Sequence, residues 1–149
     1  MMAILLITTV GVGLVAGVFF AFSAFVMQGL ARAPEPAATS AMRAINETAV
    51  TPLFMLALLG TTLLCAALVV VGGLHIDEAR WRLAVAGGAV YVVGTFLVTV
   101  AANVPLNDRL ARGDIAWDGY AGPWTAFNHV RAASSLAALV LLLLALERG

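Results

Sequence analysis

Residues 1–31 contain no charged side chain. A helix needs roughly 20 mostly apolar residues to cross the ~30 Å of hydrocarbon in a bilayer, so this run is long enough to span. Two further stretches, 48–76 and 83–107, also lack Asp, Glu, Lys and Arg, and a fourth, 119–146, carries Arg131 as its single formal charge together with His129. Hydrocarbon leaves no water to pair with exposed backbone groups, so a spanning segment must be a helix or part of a closed barrel. No ten-residue alternation of the barrel type occurs. The expected fold is therefore an all-α integral membrane four-helix bundle, a single domain with spans at about 2–30, 48–74, 81–104 and 123–146. An even number of spans puts the N- and C-termini on the same side.

Composition agrees. The chain is 62% hydrophobic and 11% charged, against about a quarter charged in soluble domains. So few charges cannot coat a soluble globule. Net charge is zero, which points away from nucleic acid as a partner, and all eight basic residues are arginine. Arg80, Arg82 and Arg148 fall on the side of the termini and Arg32, Arg43, Arg109 and Arg112 on the other, too even a split to set orientation. The expected location is integral to a lipid bilayer, in a bacterial plasma membrane. No basic residue precedes Arg32, so the opening run reads as a retained first helix rather than a signal peptide. The lone Cys65, in an apolar run, reads as a small buried hydrophobe.

Local chemistry suggests the boundaries. Pro34 and Pro36 break the first helix, and Thr39 or Ser40 can cap the next. The mixed segment 42–47 is expected to run into the second span, with Pro52 as a kink or a first turn. Gly72 and Gly73 end that span, and Arg80, Trp81 and Arg82 anchor the third, which is expected to stop at Pro105. Residues 106–123 then form the longest connection. Small residues at helical spacing (Gly13, Gly17, Ala21, Ala24; Ala84, Gly88) allow close helix packing within the bundle, or a face for a homo-oligomer.

The unusual polar residues gather at one end. Asn46 precedes the second span, Asn103, Asn107, Asp108 and Arg109 close the third, and Trp117, Tyr120 and Trp124 lead into the fourth. Four-residue spacing puts Asn128 below Trp124 on one helix face, and Arg131 extends that stripe. An arginine within a span costs at least ~2.5 kcal/mol near the bilayer centre unless paired or hydrated, so Arg131 should face the interior. One account has it snorkel or tie helices together through Asn46, Asn103 or Glu47. The other makes the cluster a pocket. His75, at the opposite end, reads as a solvated loop residue. No metal-ligand spacing, phosphate loop or nucleophile elbow appears, and no metal or cofactor is expected.

Asn103-Val-Pro-Leu-Asn107, with Trp117, Tyr120 and Trp124-Thr-Ala-Phe-Asn128-His129-Val-Arg131, resembles the anthrone oxygenase-like family of small four-helix membrane proteins. The Gly-rich opening through Phe19-Phe20 and the segment Met42 to Asn46 look like the same family. Fungal members are associated with oxidising anthrones to anthraquinones without a conventional cofactor. The resemblance implies the fold already read from hydropathy and leaves two functional readings. In the first, the protein is an oxygenase for a planar phenolic substrate. His129 is the candidate base, Arg131 and Asn128 (with Asn103) stabilise an oxyanion, and Asn46, Asn107, Trp117, Tyr120 and Trp124 line the slot. Asn128 and His129 are adjacent, about 100° apart around a helix, so both cannot point straight into one pocket. In the second reading the protein binds a lipid, quinone or hydrophobic metabolite, or serves as a small subunit of a membrane complex, without catalysis.

Overall fold

The structure, a computed structural model, describes residues 2–148. It contains five helices: α1 (Met2–Leu30), α2 (Glu35–Ala49), α3 (Pro52–Gly73), α4 (Ala79–Arg112) and α5 (Trp117–Glu147). All but α2 are long and apolar enough to cross a membrane. Their outer faces carry exposed apolar side chains such as Ile7, Leu14, Phe25, Leu63, Val70 and Val93. Helices apolar all round are those that face lipid on one side and protein on the other.

The four spans form a ring in which α5 packs on α1 and α4, and α4 on α3. The ring closes where α3 meets α1, the thinnest of the four seams. Buried threonines supply much of the interior polarity and satisfy it locally. Thr8, Thr9, Thr62 and Thr99 donate to the carbonyls of Ile4, Leu5, Leu58 and Thr95, all at 2.7 Å. Such back-bonding pairs these four hydroxyls within their own helices, whereas the buried Tyr91 Oη has no partner among the described residues.

Close approach rests on a few glycines. A Cβ on Gly88 would lie 2.7 Å from the Cys65 carbonyl oxygen, so α3 and α4 meet backbone to backbone there. On α1 the close contact is Gly11 against Thr61 of α3. Gly17, from the small-residue row noted in the sequence, has nothing within 4 Å of its would-be Cβ.

Several boundaries differ from the sequence reading. The helix preceding the second span starts at Glu35, with Pro34 rather than Thr39 or Ser40 at its N-cap, and breaks at Val50 and Thr51 before α3. Pro52 occupies the first turn of α3, where its missing N–H costs nothing. The third helix does not stop at Pro105 but continues to Arg112. Two wide π-helical turns, Val92–Leu97 and Thr99–Asn103, precede the proline. Proline lacks the N–H and crowds the carbonyl four residues back, and a π-turn relaxes that register so the helix can pass. The fourth helix begins at Trp117, about two turns earlier than expected, and takes Pro123 into its interior. The longest expected connection thus shrinks to 113–116, turning on Gly113 at φ 77°.

The short helix α2 crosses the end of the bundle as a strap. Its Ala38 and Met42 are buried with Met27, Leu110, Trp117, Tyr120 and Trp124 in a second apolar cluster. Its first turn and its middle are tied to other helices. Glu35 Oε1 accepts the N–H of Trp117 at 3.3 Å, serving an orphan donor at the start of α5. Arg43 Nε donates to the Leu110 carbonyl at 2.9 Å, capping the C-terminal end of α4, where a cation is favoured. Arg43→Ala is expected to lower stability by about 1.5–3 kcal/mol, the range for a hydrogen bond to a charged group. Thermal unfolding in detergent checks it; an unchanged midpoint would mean the strap is held by its apolar face alone.

Candidate functional site

One face of α5 carries Trp117, Tyr120, Trp124, Asn128, Arg131, Ser135, Ala138, Leu142 and Ala145, at spacings of three or four, and all are buried. Its lower half is apolar and packs in the bundle. Its upper half builds a polar floor beneath α2. Because α5 begins at Trp117, Arg131 lies about 20 Å along the axis from the helix start, deeper than the sequence suggested.

Arg131 is 4% exposed. Its Nη2 donates to Asn128 Oδ1 at 2.8 Å and its Nη1 to Thr99 Oγ1 at 3.3 Å. The guanidinium carbon sits 4.2 Å from the Phe19 ring centre and 5.1 Å from that of Trp124. Cation–π attraction is strongest where water is excluded, so these two rings replace part of the lost hydration. Its Nε has no partner, and among the described residues no carboxylate pairs with it. The ties expected through Asn46, Asn103 or Glu47 are not the ones formed.

Asn128 holds the arginine from below. Its Nδ2 donates to the Phe19 carbonyl and to Ser23 Oγ, both at 2.8 Å. Phe19 and Ser23 bracket the start of a π-turn at Phe22–Val26 in α1. His129 is on a different face of α5. It is exposed, and its Nδ1 lies 2.9 Å from the same Ser23 hydroxyl.

Asn107 organises the roof. Its Oδ1 accepts from Tyr120 Oη at 2.9 Å and from Trp124 Nε1 at 2.8 Å. Asn103 Nδ2 donates to the Trp124 carbonyl at 3.2 Å. That carbonyl belongs to the next-turn partner of Asn128, and the bond ties α4 to α5 beside the wide turn Thr99–Asn103. Asn107→Ala would leave the buried Tyr120 and Trp124 donors without their acceptor. It is expected to cost about 1–3 kcal/mol and to shift tryptophan emission as the Trp124 environment loosens. Unaltered emission and melting would show that Asn107 is dispensable.

These groups surround a cavity of about 310 Å³. Phe19 and Phe22 line it from α1, Asn46 and Thr48 from α2, and Phe54, Met55 and Leu58 from α3. Thr99 and Asn107 of α4 and Trp124 and Arg131 of α5 complete it. Asn46 Nδ2 is, like Arg131 Nε, buried and unpartnered. Both are donors held beside the cavity, each without an acceptor among the described residues. A small polar lining in a mostly apolar cavity is the usual form of a ligand site.

Of the residues singled out in the sequence, Asn46, Asn107, Trp124 and Arg131 reach the cavity. Asn128, Asn103 and Tyr120 support them from behind. Trp117 and His129 do not line it. Trp117 packs 5.9 Å from Tyr120 in the cluster under α2. The carboxylates Glu47 and Asp108 are exposed and also absent from the lining. Sequence reasoning missed Thr99, Ser23 and the apolar walls Phe19, Phe22 and Phe54. A hydroxyl or a phenylalanine inside a span carries no unusual cost, so nothing marked them.

The model of the anthrone oxygenase family matches residues 48–141, from the last turn of α2 through most of α5. The chain belongs to the anthrone oxygenase family. The matched stretch contributes α3, α4 and the polar stripe of α5, and leaves α1 and most of α2 outside, including the Phe19-Phe20 opening and the segment Met42 to Asn46. No curated protein and no solved structure matches the chain. For this anthrone oxygenase-family protein the family assignment therefore rests on α3 and on the two helices, α4 and α5, that carry Thr99, Asn107, Trp124 and Arg131.

Proposed function

We propose that the cavity takes a flat, electron-rich phenolic molecule of anthrone type and that the protein promotes its oxidation by O2 without a cofactor. The observation that carries this reading is Arg131, a buried arginine beside the cavity with no carboxylate partner. A cation in that setting favours any ligand that is, or becomes, an oxyanion. An anthrone that loses a proton from its central methylene carbon places negative charge on the oxygen across the ring. Arg131 and Asn46 supply donors for that oxygen. The flanking Phe19, Phe22 and Trp124 offer ring faces for a flat molecule.

The chemistry balances without a further reactant. The carbanion passes an electron to O2 and the two radicals combine to a hydroperoxide at the former methylene carbon. Loss of water then leaves the second carbonyl: one anthrone and one O2 give one anthraquinone and one water. The proton taken from carbon passes to solvent, and one proton returns from solvent to the peroxide anion, so none is consumed overall. Lowering the acidity barrier at carbon is the task left to the protein, and fixed donors at the oxyanion perform it.

A second reading is favoured by one observation. Apart from Arg131, no acid or base among the described residues lines the cavity, which suits binding of a quinone or other hydrophobic metabolite without turnover. Purified protein supplied with anthrone in an oxygen electrode decides between them. Catalysed O2 uptake matched by anthraquinone absorbance is expected. Saturable binding with no uptake above the uncatalysed rate would overturn the oxygenase and leave the binding reading.

A further inference from the structure

The cavity does not end at the protein wall. Val18 of α1 and Phe54 of α3 line it, and the same two side chains line a second hollow of about 400 Å³ on the outer face of the bundle. That groove runs along the α1–α3 seam between Leu14, Val15 and Val18 on one side and Thr51, Leu53, Phe54 and Ala57 on the other. Its walls are apolar and exposed at the level of the spans: Leu14 is 62% and Leu53 82% exposed. The two helices touch closely at Gly11 and Thr61 and part toward Pro52, so the seam opens at the cavity end.

We propose that this seam is a lateral portal, through which a flat apolar molecule dissolved in the bilayer enters the cavity between Val18 and Phe54. The inference rests on the reading of the cavity as a ligand site. Three features place the entrance here rather than at the water-facing end. The α2 strap lies across that end, tied at Glu35 to α5 and at Arg43 to α4. The α1–α3 seam is the thinnest in the ring. Phe54 itself stands on the single α-helical turn Pro52–Met55, between the break at Val50 and Thr51 and the wide turn Leu56–Gly60. Its ring meets Phe19 edge-on at 6.5 Å, and Phe19 carries the Arg131 guanidinium on its face, so the gate adjoins the polar floor.

The partition of an anthrone-like molecule supports the same direction. Fused aromatic rings concentrate in hydrocarbon, so entry from lipid avoids transfer through water.

The test fills the groove without touching the cavity. Leu14 and Ala57 line the groove alone, and a Leu14→Phe/Ala57→Phe variant adds bulk there. Protein in phosphatidylcholine vesicles is mixed with 9,10-anthraquinone in the bilayer, and quenching of tryptophan is followed by stopped flow. All three tryptophans are buried, so saturable quenching reports occupancy rather than collision from lipid. The expected result is entry and exit slowed together by about tenfold or more, with equilibrium affinity unchanged, because a gate outside the bound state alters both rates alike. Saturable quenching at unchanged rates would overturn the portal and leave the cavity. Slowing by Ala44→Phe instead, on the water-facing side of α2, would assign entry to that side and also overturn it. Absence of saturable quenching in the unmodified protein would overturn the cavity as a quinone-type site, and the portal with it.

Discussion

Arg131→Met is expected to lower anthrone-dependent O2 uptake by about 10²-fold or more, while the ligand-free protein melts at the same temperature or higher. The two halves of this expectation have one cause. In the empty protein the guanidinium is desolvated, partnered only by neutral groups (Asn128, Thr99) and two aromatic rings. A buried charge held that way is an expensive element of the fold, and an apolar side chain of similar length often does as well or better. The same group is the one cation available to an oxyanion in the cavity. Loss of function with retained stability is therefore the mark of a site residue. A helix tie behaves oppositely: a fall in melting temperature with activity lost only in proportion to unfolded protein would overturn the assignment. Arg131→Lys separates charge from geometry. Its ammonium cannot reproduce the fork to Asn128 and Thr99, so activity between the wild type and Arg131→Met is expected.

The second large effect concerns the scaffold. Gly88→Val is expected to destabilise the bundle by about 1–3 kcal/mol or more. Its Cβ would lie 2.7 Å from a backbone carbonyl oxygen of α3 and 3.1 Å from Val69 Cγ2, and a backbone cannot turn aside as a side chain can. Gly17→Ala, where nothing lies within 4 Å, is expected to change stability by less than about 0.5 kcal/mol. Thermal unfolding of both in one detergent gives the comparison. Equal effects would mean that loss of glycine flexibility, rather than the contact, sets the cost.

The position of α5's polar stripe was legible because helical spacing is rigid. Trp124, Asn128 and Arg131 had to share a face, and His129 had to leave it. The depth of Arg131 was not, because that depended on where the helix starts. Pro123 looked like a beginning and became an interior residue, as Pro105 looked like an end. A proline weakens a helix locally, and flanking packing and wide turns decide whether the helix stops.

From its sequence alone this protein was bound to be a four-span helical membrane bundle. Three charge-free runs of spanning length and a fourth with a single arginine admit no other solution, because hydrocarbon compels every backbone group to pair and no barrel pattern is present. The resemblance in the third and fourth spans pointed in the same direction. Tertiary structure alone decided which polar residues share one space. It set Asn46 from the α2 strap opposite Arg131, placed Thr99 beneath it, turned His129 and Trp117 away, and parted α1 from α3 beside Phe54. Those outcomes depend on how helices lean on one another at Gly11, Gly88 and the wide turns. Spacing along one helix fixes a direction in that helix only. Convergence of several helices on one cavity is a property of their packing.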